Sequence, residues 1–340
     1  FLIFLILFPL FFFSWKYIER PFRNKRIINN NHLIVSFCVF VGFFLLFINL
    51  TFNNMKKSEN KFIKIYNDGK NYEKKYFLNC TTLPKKYIKP ENACIIGKKD
   101  ENIKHAIIGD SHATALADGF DTIFREKNIS AYLFTINGCP LSPNLYNYLD
   151  KRFECKKYFS ELVEFLNMNK QIDTIILHSR WGFYTSGEKF NNNEGGKESG
   201  KDSIFLRKER DISFNKSKRS KIVVNEIKSF VENISENRQT FIISSIPEVG
   251  MDVPVTVARS IKFNKLEKTM NFTTSFDVYL KRQFNMNKAF QTLANKKNIK
   301  VFDSAQVFCE KRAKRCNFTI ANKPLYFDDD HLNLTGSSIL

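Results

Sequence analysis

Residues 106–113 read Ala106-Ile107-Ile108-Gly109-Asp110-Ser111-His112-Ala113. An apolar run that opens beside His105 stops at Gly109, and helix-favouring residues resume at Ala113 and continue to Lys127. That pattern predicts a buried strand turning directly into a helix. Ser111 would then open the helix at the rim of a sheet, where free backbone amides favour negative charge. The place suits a nucleophile. It also suits an ordinary helix cap, which an Asp-Ser pair supplies, and the block alone leaves both readings open.

Outward from this block, strands are expected at 131–136, 174–178, 240–244 and 300–302, with helices at 157–167, 223–237 and 276–297. The first of these helices carries Phe159, Leu162, Val163 and Leu166 on one face. Residues 191–203 are rich in Asn, Gly and Lys and read as a flexible surface insertion. Alternating strands and helices give an α/β fold, a parallel sheet covered on both faces. In such sheets, sites form beyond the carboxyl ends of the strands.

A serine nucleophile needs a base, and the base needs an orienting carboxylate. The chain has five histidines. His32 falls in an N-terminal loop, His105 and His178 lie on or beside strands, and His112 adjoins Ser111 too closely for an easy side-chain hydrogen bond. His331 remains, in Tyr326-Phe327-Asp328-Asp329-Asp330-His331-Leu332. Asp328, three residues earlier, can reach the imidazole across a tight turn. Asp329 and Asp330 are expected to matter less. The competing reading is a solvated acidic turn before a helix, with His331 near its N-cap. No Gly-x-Ser-x-Gly elbow is present.

Residues 33–52 carry no charge and are long enough for a transmembrane helix, which takes about 20 residues. Residues 1–14, which begin at Phe1 with no charged stretch ahead, read as the remainder of another span, so the chain is expected to be part of a longer membrane protein. The last residues, 336–340, read as the first turn of a helix that then stops, so this end too is expected to be early. Residues 15–32 are basic and would be cytoplasmic. Residues 53–84 are polar, without periodicity, and read as a linker to a globular domain at 85–340.

Cys38 lies in the apolar stretch and is expected to be a small buried side chain. The other six cysteines suggest an oxidising compartment and the local disulfides Cys80–Cys94, Cys139–Cys155 and Cys309–Cys316. None has CxxC spacing, so no metal site is expected. The formal charge is +19, from 53 Lys+Arg against 34 Asp+Glu. The lysines are dispersed and no nucleic-acid-binding motif accompanies them, which argues against a nucleic-acid partner. A basic surface facing an anionic glycan or lipid headgroups fits better.

Gly-Asp-Ser near the start of the globular region and Asp-x-x-His at its end resemble the SGNH, or GDSL-like, hydrolase family. The resemblance implies a flavodoxin-like three-layer fold with Ser111 as nucleophile, His331 as base and Asp328 as its partner. It also implies an oxyanion hole from the Ser111 amide and Gly138, in Asn137-Gly138-Cys139-Pro140. The family's third donor is an Asn; this chain has His178-Ser179-Arg180-Trp181 there, and Arg180 or a backbone amide would substitute.

Phe13-Ser14-Trp15-Lys16-Tyr17-Ile18-Glu19-Arg20-Pro21-Phe22-Arg23 resembles the end of the last core helix of acyltransferase family 3 membrane proteins. Some of these carry a further span, a linker and an SGNH domain. The combined resemblance implies an enzyme: an O-acyltransferase that moves acetyl from acetyl-CoA, through a membrane module upstream, to an envelope polysaccharide such as lipopolysaccharide. No cofactor is expected in the SGNH domain itself. The protein would be multi-pass in the cytoplasmic membrane, in contact with the lipid bilayer, with the C-terminal domain outside. The alternatives are a carbohydrate esterase using the same triad, and a non-catalytic glycan-binding domain.

Overall fold

A computed structural model describes residues 12, 14–23, 30–72, 74–98, 102–152, 154–263 and 273–340. Residues 1–11, 13 and 24–29, on which part of the expected N-terminal span and loop fall, lie outside the described residues. Within the expected loop, Trp15–Glu19 and Arg20–Arg23 are helical.

The first unit, Phe1–Asn60, contains most of a long helix, α1 (Asn30–Gly69). Its stretch Phe37–Gly69 is long and apolar enough to cross a membrane, with mean hydropathy 1.8 over its most apolar window. Phe37, Phe40, Phe43, Phe44 and Phe47 expose more than half of their surfaces. Cys38 is exposed as well, not buried as expected, because the helix offers it no protein neighbour. The helix also runs past the predicted end of the apolar span, so residues 53–69 are helical. Its last residue, Gly69, packs so closely on Pro254 that a Cβ would lie 2.7 Å from its ring.

The second unit, Lys61–Leu340, is an α/β domain. The strands of its main sheet are β1 (Thr81–Thr82), β2 (Cys94–Gly97), β3 (His105–Gly109), β4 (Ser130–Ile136), β5 (Thr174–His178), β6 (Gln239–Ile243) and β7 (Ile299–Phe302). They run in the order β1-β4-β3-β5-β6-β7, with β2 antiparallel on β4 and every other pairing in this sheet parallel, and the described residues add three smaller sheets of two or three short strands. From β3 the chain first steps outward to β4 and then back across to β5, so the strand order reverses beside β3. Ligand sites form at such a point.

Ala106 and Ile108 face one layer and Ile107 the other, the period-2 alternation of a strand buried on both sides. Ala106 and Ile108 meet Phe159, Leu162, Ile227, Phe230 and Phe290, from α3 (Cys155–Met168), α5 (Lys216–Ile234) and α7 (Phe276–Leu293). The opposite layer holds α2 (Ser111–Glu126), α6 (Val253–Lys262) and the last turns of α1. Two further helices are α4 (Trp181–Ser186), which follows β5, and α8 (Leu334–Ile339), which packs on α2.

The expected disulfides Cys80–Cys94, Cys139–Cys155 and Cys309–Cys316 are formed. The insertion at 191–203 is more built than its composition suggested. Asn192 is buried and its side chain donates to the Val249 carbonyl and accepts from Glu194 and Gly196.

Candidate active site

The turn from β3 into α2 allows no side chain at Gly109. A Cβ there would lie 1.9 Å from the His178 carbonyl oxygen. Asp110 follows as the helix N-cap, accepting from the His112 amide at 2.9 Å. Its other oxygen accepts from the Arg180 amide at 3.0 Å and the Tyr184 hydroxyl at 2.6 Å. Burial alone would raise this carboxyl, but the His112 charge and these hydrogen bonds outweigh it and hold it below its ordinary value. Asp110 therefore caps the helix, and Ser111 is left free of that task. The Ser111 Oγ lies 2.8 Å from His331 Nε2.

His331 sits in a turn that its neighbours define. Asp328 Oδ1 accepts from the amides of Asp330 at 3.0 Å and His331 at 2.8 Å, an Asx-type turn. Asp328 Oδ2 is left 2.8 Å from His331 Nδ1. The Phe327 amide donates to the His331 carbonyl at 3.0 Å, closing the turn from behind. The imidazole stacks on the Phe327 ring, at 5.4 Å and 10°, and Tyr72 stacks on Phe327 in turn at 4.0 Å. Ser111, His331 and Asp328 thus lie in one hydrogen-bonded line, an arrangement in which an imidazole can take a hydroxyl proton. Neither Tyr72 nor Phe327 was singled out from the sequence, where they are two aromatics among many.

Asp330 departs from expectation. It is buried, and its Oδ1 is also 2.8 Å from His331 Nδ1. Its Oδ2 is 2.9 Å from Arg180 Nη2 and 3.6 Å from His112 Nε2. Arg180 departs too. Its guanidinium binds Glu248 through Nε at 2.7 Å and Glu198 through Nη1 and Nη2 at 3.1 and 2.6 Å. With Asp330 as a third partner, the group is a buried hub for three carboxylates and does not stand in for an oxyanion donor. Glu248 is held from the other side by Arg282 at 2.9 Å, and Glu198 pairs with Lys189.

These charges set the ionisation of the turn. Burial would lower the His331 pKa, but the Asp330 and Asp328 charges beside it raise it well above the usual imidazole value. Burial would raise Asp330, yet Arg180, His331 and His112 hold it well below the carboxylate range. Asp328 is held below its ordinary value as well, His331 outweighing its burial.

Asp329 has no such partner among the described residues. Burial, then the Asp330 and Asp328 charges, push it from 3.8 up to about 7. The folded state retains a proton that the unfolded chain releases, so the stability this group supplies is full below pH 3.8 and lost as pH rises through about 7. Asp329→Asn is therefore expected to raise the melting temperature over wild type at pH 8, with the gain disappearing by pH 4. A gain independent of pH would show that Asp329 does not titrate in this way.

Gly138 lies three residues beyond Thr135, which is in register with Gly109, so it shares the carboxyl edge with Ser111. Its φ of +66° suits a glycine. The Gly138 amide makes no hydrogen bond to protein among the described residues. After β5, the Arg180 amide is engaged by Asp110, so neither it nor the Arg180 side chain is free as a third donor. His178 is buried with Nδ1 on the Ile243 carbonyl, and burial and the His112 charge pull it down to about 4. His105 binds the Ser130 carbonyl. His112, Asp330 and His331 bring ligand atoms within 4.8 Å of one another. Arg180 already engages Asp330, and Ser111 engages His331.

Family comparison places the chain. The family described as SGNH domain (fused to AT3 domains) matches residues 79–340. The chain belongs to that family. No curated protein matches it. Among solved structures, this SGNH chain is similar to the lipopolysaccharide acetyltransferase periplasmic domain of Salmonella ser. Paratyphi A. Identity there is 14%, with TM-score 0.47, covering 71% of this chain and 81% of that one. It is also similar to a protein provisionally described as a platelet activating factor from Streptococcus pneumonia. In that case identity is 12% and TM-score 0.32, covering 87% and 94%.

Proposed function

We propose that this protein is an O-acyltransferase, carrying acetyl to a hydroxyl of a cell-envelope polysaccharide through Ser111. The observation that carries the reading is the unbroken line Ser111 Oγ, His331 Nε2, His331 Nδ1, Asp328, with 2.8 Å at each hydrogen bond. The family's association with AT3 domains supports transfer over hydrolysis. The apolar helix supports membrane attachment, and the three disulfides support an extracytoplasmic domain.

His331 takes the Ser111 proton as Oγ attacks the acyl carbonyl. The Ser111 and Gly138 amides hold the oxyanion. Collapse of the intermediate expels the donor's leaving group, which receives the proton from His331, and leaves the acyl group esterified on Ser111. A sugar hydroxyl then gives its proton to His331 and attacks the ester. Ser111 departs with that proton, so acyl donor plus sugar hydroxyl become acyl sugar plus protonated leaving group. The acyl donor reaching this domain derives from acetyl-CoA by way of an upstream membrane module, and the SGNH domain binds no cofactor.

The test supplies labelled acetyl donor to membranes containing the protein, then follows label into polysaccharide and onto the Ser111 peptide. Label is expected on both. Label released only as acetate would replace transfer with an esterase reading.

A further inference from the structure

Asp330 and its hub have no part in the triad reading, yet they touch the same imidazole nitrogen. His331 Nδ1 has two carboxylate oxygens at 2.8 Å, one from Asp328 and one from Asp330. The two are built differently. Asp328 is a third exposed and held by amides of its own turn. Asp330 is 4% exposed and is fixed through Arg180, whose position is set by Glu198 from the insertion and Glu248 beyond β6. Such a hub is expensive to bury unless its geometry is used.

We propose that Asp330, braced by Arg180, is a second positioning residue for His331, sharing the Nδ1–H with Asp328. The inference rests on His331 being the base of the proposed reaction. Two carboxylates make the orientation redundant. A neutral side chain in place of either one leaves the other to accept the Nδ1–H, so each single loss is partial and the double loss is not the product of the two.

Other polar groups surround the imidazole. From α2 it meets His112, whose ring centre is 4.3 Å away, and Ser111. From the end of β5, His178 lies behind His112, with ring centres 6.2 Å apart. Glu198, Glu248 and Asp110 reach it only through Arg180 or the α2 turn. Asp329, in the same turn, titrates in the range of interest, so the pH measurements belong in an Asp329→Asn background.

The experiment uses the full chain and p-nitrophenyl acetate, with kcat/KM followed against pH. Asp328→Asn and Asp330→Asn are each expected to lose about 10-fold, while the double variant approaches the roughly 10⁴-fold loss of a triad whose carboxylate is gone, far beyond the product of the two. In Asp330→Asn the acidic limb, which reports protonation of His331, should also move to lower pH. A purely structural role for Asp330 would not move that limb. Wild-type behaviour in Asp330→Asn, with Asp328→Asn already at the level of the double variant, would overturn the proposal.

A second measurement needs neither turnover nor a folded Asp330 variant. The low-field Nδ1–H proton resonance of His331 should persist in Asp328→Asn if Asp330 accepts it, and its disappearance there would equally overturn the proposal. Activity that survives Ser111→Ala would sink acyl transfer instead, and the resonance would still report on Asp330.

Discussion

Ser111→Ala is expected to reduce acyl transfer to the polysaccharide by about 10⁶-fold while leaving the melting temperature within a degree or so of wild type. The size follows from removing a triad nucleophile, after which only binding and the oxyanion donors remain. The small effect on folding follows from the contacts. The Ser111 side chain has one described hydrogen bond, to His331 Nε2 at 2.8 Å. The helix it opens is capped by Asp110, and a serine hydroxyl on the sheet rim contributes little packing. Transfer and melting temperature measured together separate chemistry from folding. Full transfer in Ser111→Ala would mean that the glycan is acylated elsewhere, leaving this domain to bind it.

The part of the site carried by Ser111, His331 and Asp328 was legible because its signals are local. A single residue, Asp110, takes the chain from a doubly buried strand to a helix, so the apolar run and its abrupt stop at Gly109 declare themselves. Asp328 and His331 are three apart, a spacing that a tight turn converts directly into contact. The disulfides were legible for the same reason, each closing a short loop. The parallel order of the sheet followed from alternation, although β1 and β2, at two and four residues, are too short to alternate and were missed.

What was not legible depends on distance in sequence. Arg180 meets Glu198 and Glu248, 18 and 68 residues away, and nothing in the sequence marks those two glutamates as buried. The resemblance suggested an oxyanion role for Arg180 because of where it follows β5. The structure turns the guanidinium to three carboxylates instead, and leaves the third oxyanion donor unassigned. The end of α1 is a subtler case. Phe62, Ile65, Tyr66 and Gly69 are the sheltered positions of its last turns, spaced as one helix face. Lys64, Asn67 and Asp68 between them dilute that spacing, and the segment reads as a tether. Once Ile65 packs beside Val253 and Val257, the face is plain.

Arg180→Ala is expected to destabilise the domain by about 3–5 kcal/mol at neutral pH, the usual consequence of removing one partner from a buried ion-pair network. The three carboxylates do not suffer equally. Glu248 keeps Arg282 at 2.9 Å and Glu198 keeps Lys189. Asp330 keeps no arginine or lysine among the described residues and must rely on His331 and His112. The sign of the pH dependence follows. Arg180 helps to hold Asp330 and Glu248 below their ordinary values of 3.8 and 4.5. The stability it provides is present above those values and lost as pH falls through the lower folded-state values. The gap in melting temperature between wild type and Arg180→Ala should therefore be widest near pH 7 and narrow below about pH 4. Arg180→Ala/Asp330→Asn removes the stranded carboxylate together with its partner, and should recover part of the loss at pH 7. A double variant no more stable than Arg180→Ala would place the cost on Glu198 and Glu248, and would remove the argument that the hub exists to hold Asp330.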